Sequence, residues 1–169
     1  KIFDLINRKA TDYYNPFKYI RNEDDILKII NNLIKNTTDP DKKGGDGFWE
    51  KAETALLMAI FSYLIQEVVE EDRTLGSVIE LVRLADIEED VPNFVSPLDV
   101  LFQELEQKDP QNFAVAQYKI FKLSAGKTTK SILVSLGVRL APFDIPSVRQ
   151  LVSKDTLALD SIGDQKTIL

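Results

Sequence analysis

Apolar residues recur every three or four positions along most of the chain, and this spacing predicts α-helices. The clearest example follows Asn22, which can cap a helix that ends near Lys35, with Asp25 completing a capping box. One side of this helix carries Ile26, Ile30, Leu33 and Ile34. Apolar side chains in register on one face are typical of a helix packed on a core.

Five further segments have helical spacing, and most begin with a recognisable start signal. They cover residues 48–70, residues 74–86, a segment that starts at 96, residues 110–140 with a break, and residues 146–152. Ser96 and Pro97 combine a cap with a first-turn proline, and Thr74 can cap the segment that follows it. The apolar run 55–65 is about half as long as a membrane span, so it predicts a central buried helix.

This pattern predicts an all-α fold, a compact single domain of about six to seven helices without internal repeats. Strand-like sequence occurs only at the two ends, "KIFDLIN" over residues 1–7 and "QKTIL" over residues 165–169. Both fragments resemble pieces of a sheet that lies elsewhere. We therefore expect an excised insert whose ends belong to the sheet of a larger protein.

The amino-acid composition excludes several kinds of catalytic and metal-binding site, and it says less about the fold. The 169 residues are 44% hydrophobic, which is sufficient for one packed core, and the net charge of -6 disfavours a general nucleic-acid coat. The chain contains no cysteine and no histidine, which excludes disulfides, Cys/His zinc sites, thiol nucleophiles and histidine-based triads. Catalysis by carboxylates or lysine stays open.

A phosphate-binding loop is the first candidate site, because Gly126-Lys127-Thr128 matches the end of that signature. The signature requires a glycine five positions before the Gly-Lys pair, where this chain has Phe121. The preceding residues predict a helix instead of a buried strand, with helical spacing of Phe113, Ala116, Tyr118, Phe121 and Ala125. We expect two helical segments that meet near Gly126, and no bound nucleotide.

A calcium loop is the second candidate, over residues 39–50. The positions that match an EF-hand loop are Asp39, Asp41, Gly44 and Glu50. Lys43, however, places a cation where the third ligand should be, and the chain has no second loop for pairing. The sequence therefore favours a glycine-rich connector over a metal site.

Acidic residues cluster twice, at Glu67, Glu70, Glu71 and Asp72 and again at Glu88, Glu89 and Asp90. Paired carboxylates do acid–base chemistry only in a cleft that shifts their pKa values. These clusters lie at helix ends and in loops, which is typical of solvated surface. The alternative function is contact with a basic partner.

Basic residues dominate the segment 111–143, which contains no acidic residue. If one helix continues through Gly126, four lysines fall within an arc of about 140°. They are Lys119, Lys122, Lys127 and Lys130. The opposite arc carries Phe121, Ala125, Ile132 and Leu136. Such a stripe could contact DNA phosphates or another partner, and the alternative is a solvated face paired with acidic neighbours in the fold.

Arg139 lies on the core side of the same projection. We expect it to form a structural ion pair or to contact a neighbouring domain.

Several segments in order resemble the all-alpha domain of type IV secretion coupling proteins, the TraG-like conjugation ATPases, most closely those of Gram-positive elements. The segments are "YYNPFKYI", "FWEKAETALLMAIFSYL", "SPLDVLFQELE", "QYKIFKLSAGKTTKSILVSLGVRLAPFDIPSVRQL" and "LDSIGDQKTIL". The resemblance implies an insert in a RecA-like motor whose phosphate loop lies upstream and whose acidic metal-binding motif lies downstream. It therefore implies no catalytic residue, cofactor or metal in this chain.

The resemblance also implies a role. Such a domain faces the cytoplasm at the entry of a hexameric ATPase ring, within a membrane-anchored parent protein, without touching the membrane itself. It recognises the relaxase, relaxosome accessory proteins or the DNA bound to them. We expect a non-catalytic recognition domain that docks protein cargo. A DNA-binding module that uses the lysine stripe is the first alternative, and a stand-alone enzyme that uses carboxylates is the second.

Overall fold

The structure is a computed structural model that describes residues 1–6, 10–38, 47–85, 94–125 and 128–161. Within these residues the chain forms seven α-helices, three short 3-10 helices and no strand. The α-helices are α1 (Glu23–Thr37), α2 (Gly47–Glu67), α3 (Leu75–Arg83), α4 (Pro97–Lys108), α5 (Phe113–Ala125), α6 (Thr129–Asp144) and α7 (Pro146–Leu151). The prediction of an all-α fold with six to seven helices is confirmed.

Helix α2 is the central helix, as its sequence predicted. It packs against α1, α3, α5 and α6, and its side chains are buried on most of its circumference. The rings of Phe61 and Phe17 stack with centroids 4.7 Å apart, which anchors the N-terminal segment to α2. Burial of each large apolar side chain stabilises the fold by about 1.5–3 kcal/mol, so this helix organises the core.

Side-chain caps set the starts of several helices. Asn22, Thr74 and Ser96 each accept a hydrogen bond from a backbone N–H in the first turn of α1, α3 and α4. The complete capping box forms at α4, where Ser96 and Asp99 exchange hydrogen bonds. The capping box predicted at Asn22 is wrong in one half, because the Asp25 carboxylate accepts from Arg21 and Lys28 and does not reach the Asn22 N–H.

Helix α2 ends three residues earlier than predicted, and Glu70–Asp72 forms a separate 3-10 turn. The helix predicted from the spacing of Phe113, Tyr118 and Phe121 is formed as α5, with Tyr118 and Phe121 buried. Ala116 has the same spacing but is exposed, and Ala114 and Val115 are buried instead. More important for function, α5 ends at Ala125 and α6 begins at Thr129. The continuous helix on which the lysine stripe depended is therefore not formed.

The N-terminal segment packs against the residues that follow α7. The N–H groups of Thr156 and Leu157 donate to the Tyr13 carbonyl, and the Tyr14 N–H donates to the Leu151 carbonyl at 3.0 Å. Residues 1–6 form no strand; Ile2 bonds to Asp12 instead, because a single strand has no ladder partner here. The predicted strand at 165–169 lies outside the described residues.

No helix in the described part of the chain is long and apolar enough to cross a membrane.

Candidate docking surfaces

Two of the four stripe lysines pair with carboxylates of α4. Lys119 forms an ion pair with Glu106, and Lys122 Nζ lies 2.8 Å from Asp99 Oδ1. Both contacts join α5 to α4, so they help to hold the two helices together. Lys119 and Lys122 thus lie on a face that is paired with acidic neighbours in the fold, which was the alternative to a DNA-contacting stripe.

Of the two remaining stripe lysines, Lys130 lies on a different helix, in the first turn of α6. Lys127 lies outside the described residues. Because α5 and α6 are two helices, the angular relation calculated for one helix does not apply to Lys119 and Lys130. Whether any of these lysines contacts DNA stays a prediction.

Asp99 is the centre of a partly buried polar network. Its carboxylate accepts hydrogen bonds from the Ser96 N–H at 2.9 Å and the Tyr118 hydroxyl at 2.9 Å, in addition to the Lys122 contact. Burial acts to raise the pKa of Asp99, but hydrogen bonds from Lys122, Ser96 and Tyr118 outweigh it and hold the pKa below its ordinary value. Burial, reinforced by the Asp99 charge, raises the pKa of Tyr118, which therefore stays protonated and donates.

This network contains the side-chain types of an acid–base site, but the cavity beside it is unlike the cavity of such a site. The cavity beside it measures about 60 Å³ and is lined by Phe94, Phe121 and Thr129 among others. Pockets for small-molecule ligands measure about 300–1,000 Å³, so this one has room for a few waters and no metabolite. The carboxylate, phenol and ammonium groups instead satisfy one another and join α4 to α5.

The segment before Gly126-Lys127 is helical, as predicted. Phe121, which stands where a phosphate loop needs its first glycine, is 1% exposed and packs against the Tyr118 ring. Gly126 and Lys127 themselves lie outside the described residues.

The first acidic cluster lies on the rim of an open cleft. Glu70, Glu71 and Asp72 form the exposed 3-10 turn between α2 and α3, and Glu70 pairs with Lys18 at 2.7 Å. The hydrogen bond from Lys18 holds the pKa of Glu70 below its ordinary value. The cleft measures about 460 Å³, which is large enough for a few residues of a partner.

Three chain segments build this cleft. Its lining residues are Asn15, Phe17, Lys18, Ile20, Glu70, Glu71, Arg73, Ser153, Lys154 and Asp155. Asn15 donates to the Arg73 carbonyl at 2.8 Å, and the Asn15 N–H donates to Asp155 at 3.2 Å. Tyr19 also donates to Asp155, at 2.8 Å. The cleft floor is thus fixed by hydrogen bonds between segments far apart in sequence.

The second acidic cluster, Glu88, Glu89 and Asp90, lies outside the described residues, as do residues 39–46 of the calcium-like loop. Glu50, the candidate ligand at the end of that loop, lies exposed in the first turn of α2. In the described part of the chain, no group of three or more acidic side chains is arranged to hold a metal ion.

Arg139 forms the structural ion pair that the sequence predicted. Its Nε lies 2.9 Å from Glu53 Oε2, and both side chains are largely buried between α6 and α2. In this chain Arg139 therefore stabilises the core.

One exposed feature was missed by the sequence reasoning, a pair of apolar side chains on the outer face of α6. Val134 and Val138 are 61% and 70% exposed, and Ile145, which follows the last residue of α6, is 50% exposed. The signal was present, since Val134 and Val138 are four residues apart, opposite the buried Leu136. The prediction assigned one face of this segment to lysines and the opposite face to the core. It therefore did not include an exposed apolar face.

Comparison with known proteins identifies the family. A family model described as "Type IV secretory system Conjugative DNA transfer" matches residues 1–169. No curated protein and no solved structure matches the chain. The match covers every residue and confirms the resemblance to conjugation coupling proteins. The chain belongs to the family of type IV secretory system proteins for conjugative DNA transfer.

Proposed function

We propose that this chain is the substrate-recognition domain of a conjugative type IV coupling protein, and that it docks relaxase or relaxosome accessory proteins. Its membership of the conjugative DNA-transfer family supports a role in that process. The observation that carries the docking role is the exposed turn Glu70–Asp72 beside a 460 Å³ cleft, where Glu70 pairs with Lys18 and Glu71 and Asp72 add two further carboxylates. Proteins that process DNA present basic surfaces, which an acidic rim attracts and orients.

The domain itself, in this proposal, makes and breaks no covalent bond. Support comes from the Asp99 network, whose members are engaged with one another beside a cavity too small for a metabolite. Nucleotide hydrolysis would then belong to the parent ATPase ring.

We place the domain as an insert in that parent protein. Hydrogen bonds between residues 13–14 and residues 151–157 bring the two ends of the helical part to one place, as an insertion requires. Type IV secretion machinery is membrane-associated. We place this domain on the cytoplasmic face of the plasma membrane, where the DNA and its processing proteins are, without membrane contact of its own.

DNA contact through the lysines is the alternative function. The observation in its favour is that residues 111–143 contain lysine and arginine but no carboxylate. Exposed ion pairs such as Lys119–Glu106 are worth about 0–1 kcal/mol, so a phosphate could displace the carboxylate. The net charge of -6 and the existing pairs with α4 favour protein cargo instead.

A binding experiment separates the two functions. The purified chain is immobilised and presented with relaxase, accessory protein and transfer-origin DNA at about 50 and 200 mM salt. We expect the chain to retain protein cargo without DNA, and E70Q/E71Q to weaken binding by about 5-fold.

E50Q/E104Q is the matched control, because it removes two exposed carboxylates from α2 and α4 and leaves the turn intact. If both double variants bind equally well, the acidic turn is not the docking site. If DNA alone is retained, and K119Q/K130Q releases it, the DNA-binding alternative replaces this proposal.

A further inference from the structure

A closed ring of four charged side chains joins α3 to the end of α6 and to α7. Its members are Glu80 and Arg83 of α3, Asp144 of α6 and Arg149 of α7. The Arg83 guanidinium lies 3.2 Å from Glu80 Oε1 and 2.6 Å from Asp144 Oδ2. The Arg149 guanidinium lies 2.8 Å from Glu80 Oε1 and 3.1 Å from Asp144 Oδ1. Each arginine thus contacts both carboxylates, and we call these four residues the charge ring.

The charge ring connects the two helices that carry two walls of the 460 Å³ cleft. Residues 70–73, the first wall, lead into α3, and residues 153–155, the second wall, follow α7. Arg149 precedes the second wall by four residues, and its guanidinium lies beside Gly76, three residues after the first wall. No member of the charge ring belongs to the cleft lining, so the ring joins the two walls from outside the cleft.

Gly76 provides the space in which Arg149 crosses α3. A Cβ built at Gly76 would lie 2.9 Å from Arg149 Nε and 3.3 Å from Arg149 Nη2. Any larger residue at this position would therefore displace the guanidinium, which is the flexible end of its side chain. Glycine inside a helix costs stability relative to alanine, so here it trades helix propensity for the passage of Arg149 to Glu80.

The floor of the cleft supplies a separate connection between the walls. The Asn15 side chain donates to the Arg73 carbonyl at 2.8 Å, and the Asn15 N–H donates to Asp155 at 3.2 Å. Two walls that are joined at one residue can still turn about it. The charge ring adds a second connection, since Glu80 lies about 7.5 Å along α3 from the first residue of that helix. Two connections at different points fix the angle between the walls.

We propose that the charge ring sets the separation of the two cleft walls and so keeps the cleft in one shape for its partner. The four residues are positioning residues, because they act on a partner only through the walls. The consequence for cargo rests on the proposed docking function, whereas the control of wall separation does not. A cleft that is already in its binding shape loses less entropy when the partner binds, which favours affinity.

Salt should loosen the charge ring. Its side chains are 33% to 55% exposed, and dissolved ions screen charges at such positions. Single exposed pairs are weak, but here each charge has two partners of opposite sign, and a network of this kind holds better than an isolated pair. The shape of the cleft should therefore depend on ionic strength, apart from any direct effect of salt on a charged partner.

Distances between two spin labels test the control of wall separation. The chain has no cysteine, so V69C/Q150C is labelled at these two positions alone. Val69 and Gln150 are exposed, lie next to the two walls and do not line the cleft. We expect a narrow distance distribution in this background and one that is at least about 2-fold broader when R149Q is added. Raising the salt from about 50 to 500 mM should broaden the first distribution and leave the second almost unchanged.

G76A opens the charge ring and keeps all four charges. Its methyl group displaces the Arg149 guanidinium, so the distance distribution should broaden as it does with R149Q. Alanine also favours the helix, so this broadening cannot come from a weakened α3. G137A is the matched control, because a Cβ at Gly137 meets no atom within 4 Å, and it should leave the distribution narrow. Distributions that are equally narrow in all variants, or equally broadened by G76A and G137A, would overturn the proposal.

Cargo binding tests whether the shape of the cleft matters for docking. G76A should weaken binding by about 3-fold, whereas G137A should bind as the unsubstituted chain does. If E70Q/E71Q weakens binding and G76A does not, the partner docks at the turn without reading the wall separation, and this part of the proposal is wrong. Failure of the docking function is recognised separately, because E70Q/E71Q would then bind as well as E50Q/E104Q while the spin-label distances still respond to R149Q.

Discussion

Arg139 on α6 lies 2.9 Å from Glu53 on α2, and the same guanidinium holds the end of α1. Its Nη1 donates to the Ile34 carbonyl at 3.1 Å and to the hydroxyls of Thr37 and Thr38 at 3.1 and 2.9 Å. The Nε–H does not point at the carboxylate, and neither Glu53 oxygen accepts a hydrogen bond. One buried arginine therefore joins three helices and supplies the charge that Glu53, which is 1% exposed, requires.

Replacing this arginine should be severely destabilising. R139M leaves the Glu53 carboxylate buried without a counter-charge and removes the donors at the end of α1. We expect a loss of about 3–5 kcal/mol in the free energy of unfolding, measured by urea denaturation. The double variant E53M/R139M should recover much of this loss, because an apolar pair needs no charge compensation.

K35M is the matched control for a charge lost at the surface of α1, and it should change stability by less than about 0.5 kcal/mol. If R139M is as stable as K35M, the ion pair does not hold the core together. If E53M/R139M is no more stable than R139M, the bonds to α1 carry the effect instead of the carboxylate.

The stability of the domain should also depend on one hydroxyl group at the cap of α4, that of Ser96. S96A removes the hydroxyl that accepts from the Asp99 N–H at 3.1 Å, and it also removes a donor to the Asp99 carboxylate. We expect a loss of about 0.5–2 kcal/mol in thermal or urea unfolding. S131A, at an exposed helical position on α6, is the comparison and should be neutral or slightly stabilising. Equal stability of the two variants would show that the capping box contributes nothing.

Asp99 should also make the domain sensitive to acid. Its pKa is lower in the folded chain than the ordinary value of 3.8, so the unfolded chain binds its proton more readily. The stabilisation from Asp99 is therefore complete above about pH 5 and is lost as the pH falls through the folded pKa. Urea unfolding measured from pH 7 to pH 2 should show this loss.

Y118F supplies a variant in which Asp99 should contribute a smaller loss in acid. Removing the hydroxyl takes one hydrogen bond from the charged carboxylate, which moves the folded pKa of Asp99 upward toward its ordinary value, so less stability should be lost on acidification and the loss should end at a higher pH. D99N should be less stable at neutral pH and should lose less stability on acidification. An unchanged acid profile in D99N would assign the sensitivity to other carboxylates.

Local sequence signals predicted most of the helices because caps and apolar periodicity act over a few residues. Asn22, Thr74 and Ser96 begin helices where expected, and Arg139 was placed correctly from its angle on α6. One local signal was misleading: the capping role of Asp25 was overestimated because Arg21 and Lys28, only three or four residues away, compete for its carboxylate. The features that could not be predicted at all depend on partners far away in the sequence.

The candidate site was harder to predict for the same reason. Nothing in the segment 111–143 indicates that Glu106 and Asp99 of α4 lie beside its lysines, since that depends on how α4 and α5 pack. The cleft next to Glu70 is likewise built from three segments far apart in sequence. The acidic turn could be predicted from the sequence, but the concave surface beside it could not.

The two paired lysines should respond differently to charge reversal, and this matters for any test of DNA binding. Lys122 contacts a carboxylate whose side chain is 10% exposed, whereas the Glu106 partner of Lys119 is 40% exposed. K122E would place a second carboxylate beside Asp99, so we expect a loss of about 2 kcal/mol or more in urea unfolding. K119E should cost less than about 1 kcal/mol, because water screens an exposed pair.

K122M separates the two parts of this effect, since it removes the counter-charge of Asp99 without adding a negative one. It should be intermediate in stability between the unsubstituted chain and K122E. Equal stability of K119E and K122E would contradict the role assigned to the Asp99 network. If the expected order holds, DNA binding lost in K122E reflects a weakened junction between α4 and α5, and among the stripe lysines of the described residues Lys119 and Lys130 are the ones whose variants report on DNA contact.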